Sequence, residues 1–158
     1  MLSLAKAIVV YESKYGNTRL VAETIIEGMR EVSGVEVALN ELKEVDLSRL
    51  IDFDAILVGS PNHMGRQTRG IRKFIDELGK LKLEGKLAAV FDTYLGGDFE
   101  KAVKKIEKQI TEKAPGLKLV TPGLSIRVKG TKGPIADGEL PKCKQFGTRI
   151  AAQLKGQG

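Results

Sequence analysis

A chain of 158 residues with 42% hydrophobic and 29% charged side chains has the size and composition of one globular domain with its own core, expected to span 1–158. One cysteine, Cys143, and one histidine, His63, exclude an intramolecular disulfide and a cysteine-built metal site, and leave only Asp and Glu for a transition metal. The net charge of +6 admits an anionic ligand, an acidic partner or nucleic acid, but Lys and Arg alternate with Glu and lack the aromatic interleaving of a nucleic-acid stripe, so no nucleic acid is expected.

The N-terminal MLSLAKAIVV is too short to span a bilayer and lacks a small-residue cleavage site, which makes the expectation a cytoplasmic protein with no membrane contact. Lys6 to Tyr11 is a continuous β-rich apolar run, the pattern of a strand buried on both faces. After YESKYGNT, the residues from Asn17 to about Val32 place Leu20, Val21, Ile25 and Met29 on one side of a helix that ends near Gly34. Val35 to Leu39 alternates weakly, and Phe53 to Gly59 is a second buried-type strand. Arg66 to Leu78 sets Ile71, Phe74, Ile75 and Leu78 at helical spacing. Lys86 to Phe91 is another strand, and Phe99, Val103, Ile106 and Ile110 mark the next helix.

Leu117 to Val128 holds two short extended pieces broken by Pro122 and Gly123. VKGTKGPIADGELPKC reads as a turn that closes the fold, with Asp137 or Gly138 capping a last helix from about Gly138 to Leu154. Cys143 falls on the apolar side of that helix and reads as packing. The tail after Leu154, KGQG, is expected to fray, above all at 156–158. Five strand candidates alternating with four or five helices predict an open, doubly wound parallel sheet covered on both faces.

In such a sheet ligands bind beyond the carboxyl ends of the strands, where the strand order reverses. The loops after the first, third and fourth strands are ESKYGNT, SPNHMGRQT and DTYLGGD, all rich in small, hydroxylated or amide residues, whereas GKLKLEGK and TEKAPG at the opposite end are ordinary turns. In SKYGNT, Gly16 permits tight curvature into a helix, and the free amides and dipole of that helix suit a phosphate; Asn17 or Thr18 alone would suffice as a cap. Neither G-x-x-x-x-G-K-[ST] nor G-x-G-x-x-G is present, which removes the usual signatures of ATP, GTP and NAD. A receiver-type domain would need an Asp after the third strand, where this chain has Gly59 and Ser60. Ser13 has no histidine and acid partners for nucleophilic catalysis.

S-x-Y-G-N-T resembles the [ST]-x-[TY]-G-[NH]-T phosphate loop of flavodoxins; GSPNHMG resembles their G-S-P-T-Y loop, also found in the flavodoxin domains of flavodiiron proteins; and FDTYLGGD falls where flavodoxins place a second flavin loop. The resemblance covers Ala5 to Leu154. It implies a flavodoxin-like five-stranded parallel sheet in the order 2-1-3-4-5, helices on both faces, and FMN at the switch point between strands one and three, the arrangement by which flavodoxin itself is known. It also implies FMN held without a covalent bond and electron transport between redox partner proteins, acidic ones being matched by the positive charge. Ser13, Tyr15, Gly16, Asn17 and Thr18, with the Lys14 amide, would hold the phosphate. Ser60, Pro61, Asn62, His63, Met64 and Gly65 would line one side of the isoalloxazine, and Thr93, Tyr94, Leu95, Gly96 and Gly97 the other. Asp98 would cap the following helix or meet a ribityl hydroxyl.

Many flavodoxins stack a Trp on the flavin, but this chain has none. Tyr94 is then the stacking ring, an offset contact worth roughly 0.5–1.5 kcal/mol beyond burial, with His63 or Met64 on the other face and a more open flavin as the result. Arg66 and Arg69 add cations beside that loop, and His63 can deliver a proton. The leading expectation is an electron carrier rather than an enzyme. The alternatives are a flavin-dependent oxidoreductase acting on a quinone or porphyrinogen, and an interaction module without flavin.

Overall fold

Along the first strand Ala7, Val9 and Tyr11 face one side and Ile8 and Val10 the other, and all five are buried, so this strand lies inside the molecule with helices over both faces. The computed structural model describes residues 4–156. The elements in order are β1 (Ala5–Tyr11), α1 (Asn17–Arg30), β2 (Val35–Glu41), two 3-10 turns at Leu42–Glu44 and Leu47–Asp52, β3 (Ala55–Pro61), α2 (Arg69–Leu78), β4 (Leu87–Tyr94), α3 (Lys101–Lys113), β5 (Lys118–Leu119), β6 (Leu124–Arg127) and α4 (Leu140–Gly156). All strand pairs are parallel, in the order β2-β1-β3-β4-β5, with β6 also paired to β4. The chain leaves β1 outward to β2 and returns to β3 on β1's other side. The loops after β1 and β3 therefore diverge and leave a crevice at the carboxyl end of the sheet.

One core joins the sheet to α1 and α4 through Val21, Ile25, Met29, Phe146 and Ile150. The helices meet through glycine: a Cβ on Gly28 would collide with the Lys144 carbonyl, and one on Gly147 with the Ile25 carbonyl. The other core joins the opposite face to α2 and α3 through Ile71, Phe74, Ile75, Val103, Ile106 and Ile110. None of the described helices is long and apolar enough to cross a membrane.

Several boundaries differ from the sequence reading, each for a local reason. The two extended pieces between Leu117 and Val128 are separate strands that share β4 as partner: β5 lies beside Leu87 and Ala88, and β6 beside Phe91 to Tyr94. The second helix starts at Arg69 rather than Arg66, because the Thr68 hydroxyl accepts from the Ile71 amide and fixes the cap there. Phe99 precedes α3 and is 57% exposed, so it is not part of that helix's apolar stripe. The last helix begins at Leu140 and runs to Gly156, and 157–158 lie outside the described residues. Its start is braced by Glu139 rather than by Asp137 or Gly138: the Glu139 carboxylate accepts from the Arg127 amide at 2.9 Å and pairs with Lys142 at 2.7 Å, while Asp137 pairs with Lys129.

Candidate functional site

The first loop turns into α1 at Gly16, whose φ of 92° places the backbone in the left-handed region although a Cβ there would meet open space; glycine is needed for conformation, not room. Ser13 Oγ accepts from the Gly16 amide at 3.0 Å and the Arg19 amide at 3.4 Å, so Ser13, not Asn17 or Thr18, bonds the helix's first turn. The buried Thr18 hydroxyl instead meets the Thr93 hydroxyl at 2.9 Å and ties the first loop to the third. Glu12 turns to the other face and accepts from Thr68 Oγ1 at 2.5 Å, which removes it from the ligand side of the loop. Among the described residues no acceptor meets the amides of Asn17 and Thr18. These groups open the positive end of α1's dipole. Two ammonium groups lie over the Tyr15 ring of this loop, Lys14 Nζ at 5.4 Å and Lys132 Nζ at 6.0 Å from its centroid.

The second loop is a two-residue hairpin. The His63 amide donates to the Arg66 carbonyl at 2.7 Å, the Arg66 amide returns the bond at 3.1 Å, and Met64 and Gly65 between them have φ of 54° and 84°, as a type I′ turn requires. Met64 is 99% exposed at its tip. Ser60 is fully buried and structural in its contacts, accepting from the Thr68 amide at 2.9 Å. The Asn62 amide donates to the Thr93 carbonyl at 2.8 Å and closes the second loop onto the third. Asn62 Nδ2 donates to Asp98 Oδ2 at 2.7 Å. A carboxylate only accepts, so this bond fixes the side chain's orientation and turns Oδ1 away from Asp98, where it is buried without a partner. The Lys101 ammonium, then Asn62, hold the Asp98 carboxyl below its ordinary range.

Asp98 therefore does not cap α3. That task falls to Asp92, a fully buried side chain on β4 that the sequence reading passed over: its carboxylate accepts from the Val103 amide at 3.0 Å and from Ser125 Oγ at 2.6 Å. Ser125 Oγ in turn accepts from the amide of Glu100, whose φ of 62° marks the turn into the helix. Burial outweighs both hydrogen bonds and pushes the Asp92 carboxyl up to about 6. On the third loop, Tyr94 meets Phe99 edge to face, with centroids 5.6 Å apart and planes at 64°. Burial pushes the Tyr94 hydroxyl above its ordinary range.

The three loops enclose one open cleft of about 530 Å³ including its mouth. Ser13, Lys14, Tyr15, Asn17 and Thr18 line it at one end, with Pro61, Asn62 and His63 from the second loop and Thr93, Tyr94 and Leu95 from the third. Gly16, Ser60, Met64, Gly65, Gly96 and Gly97 shape the backbone around it without forming its lining. Val128 and Thr131 also line it, from the segment read only as a closing turn. They follow the carboxyl end of β6, so the rule that flagged the other loops applied to this one as well.

A doubly wound parallel sheet with its cleft where β1 gives way to β3 belongs to the class whose ligands sit beyond the carboxyl strand ends. Within that class, a model of the flavodoxin domain matches residues 8–127. A flavodoxin from Clostridium saccharobutylicum is 30% identical over 158 residues, covering 95% of this chain and 98% of that one. A flavodoxin from Aquifex aeolicus is 34% identical over 93 residues, 57% of this chain, and the match spans only half (50%) of that protein's length. Among solved structures, a flavodoxin from the domain Archaea aligns with a TM-score of 0.81 at 34% identity, over 95% of this chain and 99% of its own. The chain belongs to the flavodoxin family.

Proposed function

We propose that the cleft binds FMN without a covalent bond and that the protein carries electrons between redox partners. The observation that carries this reading is a pair of unmet polar demands in one cleft. The amides of Asn17 and Thr18 and the Lys14 ammonium group await an anion, and the buried Asn62 Oδ1 awaits an N–H donor. A flavin mononucleotide offers a phosphate and a ring N–H on one molecule, with an apolar ring system between them that suits Pro61, Tyr94 and Leu95.

The residues divide the work by position. Ser13 holds the Gly16 turn so that the first amides of α1 converge on the phosphate. The Thr18–Thr93 bond sets the distance between the phosphate end and the third loop. Asp98 fixes the orientation of the Asn62 amide, whose Oδ1 is buried beside the cleft without a partner. Tyr94, braced by Phe99, offers a ring face, and His63 adds a second ring to the lining. When bound, FMN would supply reversible one-electron chemistry that none of these side chains provides.

Titration of the purified protein with FMN should quench flavin fluorescence at one equivalent, and riboflavin, which lacks the phosphate, should bind at least a hundredfold more weakly. Unchanged FMN fluorescence would overturn the reading. Rapid turnover of reduced pyridine nucleotide with a quinone by the loaded protein would overturn the carrier half of it.

A further inference from the structure

A second groove, of about 970 Å³ including its mouth, runs between α2 and α3 away from the cleft. Its floor is a pair of amides: Gln67, 5% exposed, donates to Gln109 Oε1 at 2.8 Å, and Gln109 Nε2 donates to the Arg72 carbonyl at 2.7 Å and to Asp76 Oδ1 at 3.0 Å. Its walls carry Arg66, Arg72, Lys105, Lys108 and Lys113 against two carboxylates, and one of these, Asp76, is engaged by the floor. Several cations elsewhere on the described surface pair with a neighbouring carboxylate, among them Lys101 with Asp98, Lys104 with Glu100, Lys142 with Glu139 and Lys144 with Glu31. Among the described residues none of the five groove cations forms an ion pair. Like charges also repeat at helical spacing, Lys105 with Lys108 on α3 and Arg69 with Arg72 and Lys73 on α2, an arrangement that disfavours the isolated helices.

The groove leads to the cleft. Arg66 stands at its head and closes the His63–Arg66 hairpin, and the Lys101 side chain passes beside Gly65. At that junction Met64 is 99% exposed, and Phe99 and Leu95 are 57% and 40% exposed. An apolar tip flanked by desolvatable cations is the anatomy of a protein interface, with an apolar centre and a charged surround. No aromatic side chain lines the groove, which denies a nucleic acid the ring faces on which bases stack.

We infer that the α2–α3 groove docks an acidic segment of a redox partner protein and holds that partner over Met64 at the mouth of the cleft. This rests on the reading of the cleft as a flavin site. Opposite charge along the groove relieves the crowding of its cations, and the apolar tip then meets the partner's centre from which water is excluded.

The FMN-loaded, nitrogen-15-labelled protein is titrated with a purified [2Fe–2S] ferredoxin of strongly negative net charge. Amide shifts should cluster on α2, α3 and the His63–Arg66 hairpin, and binding should weaken steeply with salt. Arg72→Glu with Lys105→Glu should weaken docking at least tenfold while FMN affinity stays unchanged, which also shows that the variant folds. Lys82→Glu with Lys118→Glu, in the connection between α2 and β4 and at the start of β5, should change docking less than twofold. Equal losses in the two double variants, shifts that avoid the groove, or displacement of the ferredoxin by single-stranded dT12 from the same residues would each overturn the inference while leaving the flavin reading intact. Failure of the protein to take up FMN defeats the reading of the cleft, and the inference with it.

Discussion

The two faces of the sheet are covered in opposite ways. On one, α1 and α4 come together through Gly28 and Gly147 until backbone touches backbone over an apolar core, with Thr148 Oγ1 donating to the Gly28 carbonyl at 3.2 Å and Lys144 paired with Glu31 at the exposed rim. On the other, α2 and α3 share an apolar underside but stand apart at the surface, bridged by Gln67 and Gln109 below a row of cations. Packing density therefore sorts the molecule into a face that only builds and a face with room to interact, although both rest on the same buried strands.

That contrast can be broken first where it is tightest. Gly28→Val drives a branched side chain into the Lys144 carbonyl and should cost about 3 kcal/mol, read as a large fall in the urea midpoint. The open face is pinned differently, through the Asp92 carboxylate under α3. Because burial raises Asp92 to about 6, the folded chain binds that proton more tightly than the unfolded one. The stabilisation is full below about pH 4 and is lost as pH rises through 6. From 3.8 to about 6 this amounts to about 3 kcal/mol. Urea unfolding at pH 4 and pH 7 should show wild type losing about that much more than Asp92→Asn over the interval; parallel pH profiles would refute the role.

At the surface of the same face, Gln109→Ala removes the amide bridge and should cost only about 1 kcal/mol, since water can replace its bonds. A loss as large as that of Gly28→Val would show that the groove is as closed as the opposite seam. The smallest signal belongs to Cys143, buried on the closed face with its thiol pushed up to about 12 by burial. Its labelling by a disulfide reagent should be negligible in the native protein and complete in guanidinium, and fast native labelling would mean that the α1–α4 seam opens.

The elements legible from sequence were those whose pattern is enforced along a whole segment. β1, β3 and β4 are apolar on both faces because both are buried, and Ile71, Phe74, Ile75 and Leu78 mark α2 because each must reach the core. The three loops stood out because a turn needs one polar cap and these carry several. What escaped was decided by single contacts between segments distant in the chain. Phe99 looks like the first rung of α3, yet it leans on Tyr94 outside the helix. Asp98 has a cap's chemistry at a cap's distance, but Asn62 and Lys101 claim it, and Asp92 reaches the helix from β4 instead. Ser13 took the first-turn bonds expected of Asn17 or Thr18 because the Gly16 turn folds it back. Val128 and Thr131 reach the cleft only because β6 pairs with the far half of β4, which no local pattern announces.

The division of the fifth position into β5 and β6 also bears on how copies of the chain avoid one another. A sheet edge with a long row of unpaired amides and carbonyls is a template for intermolecular strand addition. Here one edge is cut into pieces of two and four residues by Pro122 and Gly123, and the other, β2, carries Glu36 and Glu41 and runs directly into a 3-10 turn. Neither margin offers a neighbour a straight, uncharged ladder to extend, which favours a protein that stays dispersed at high concentration and reserves its contacts for other surfaces.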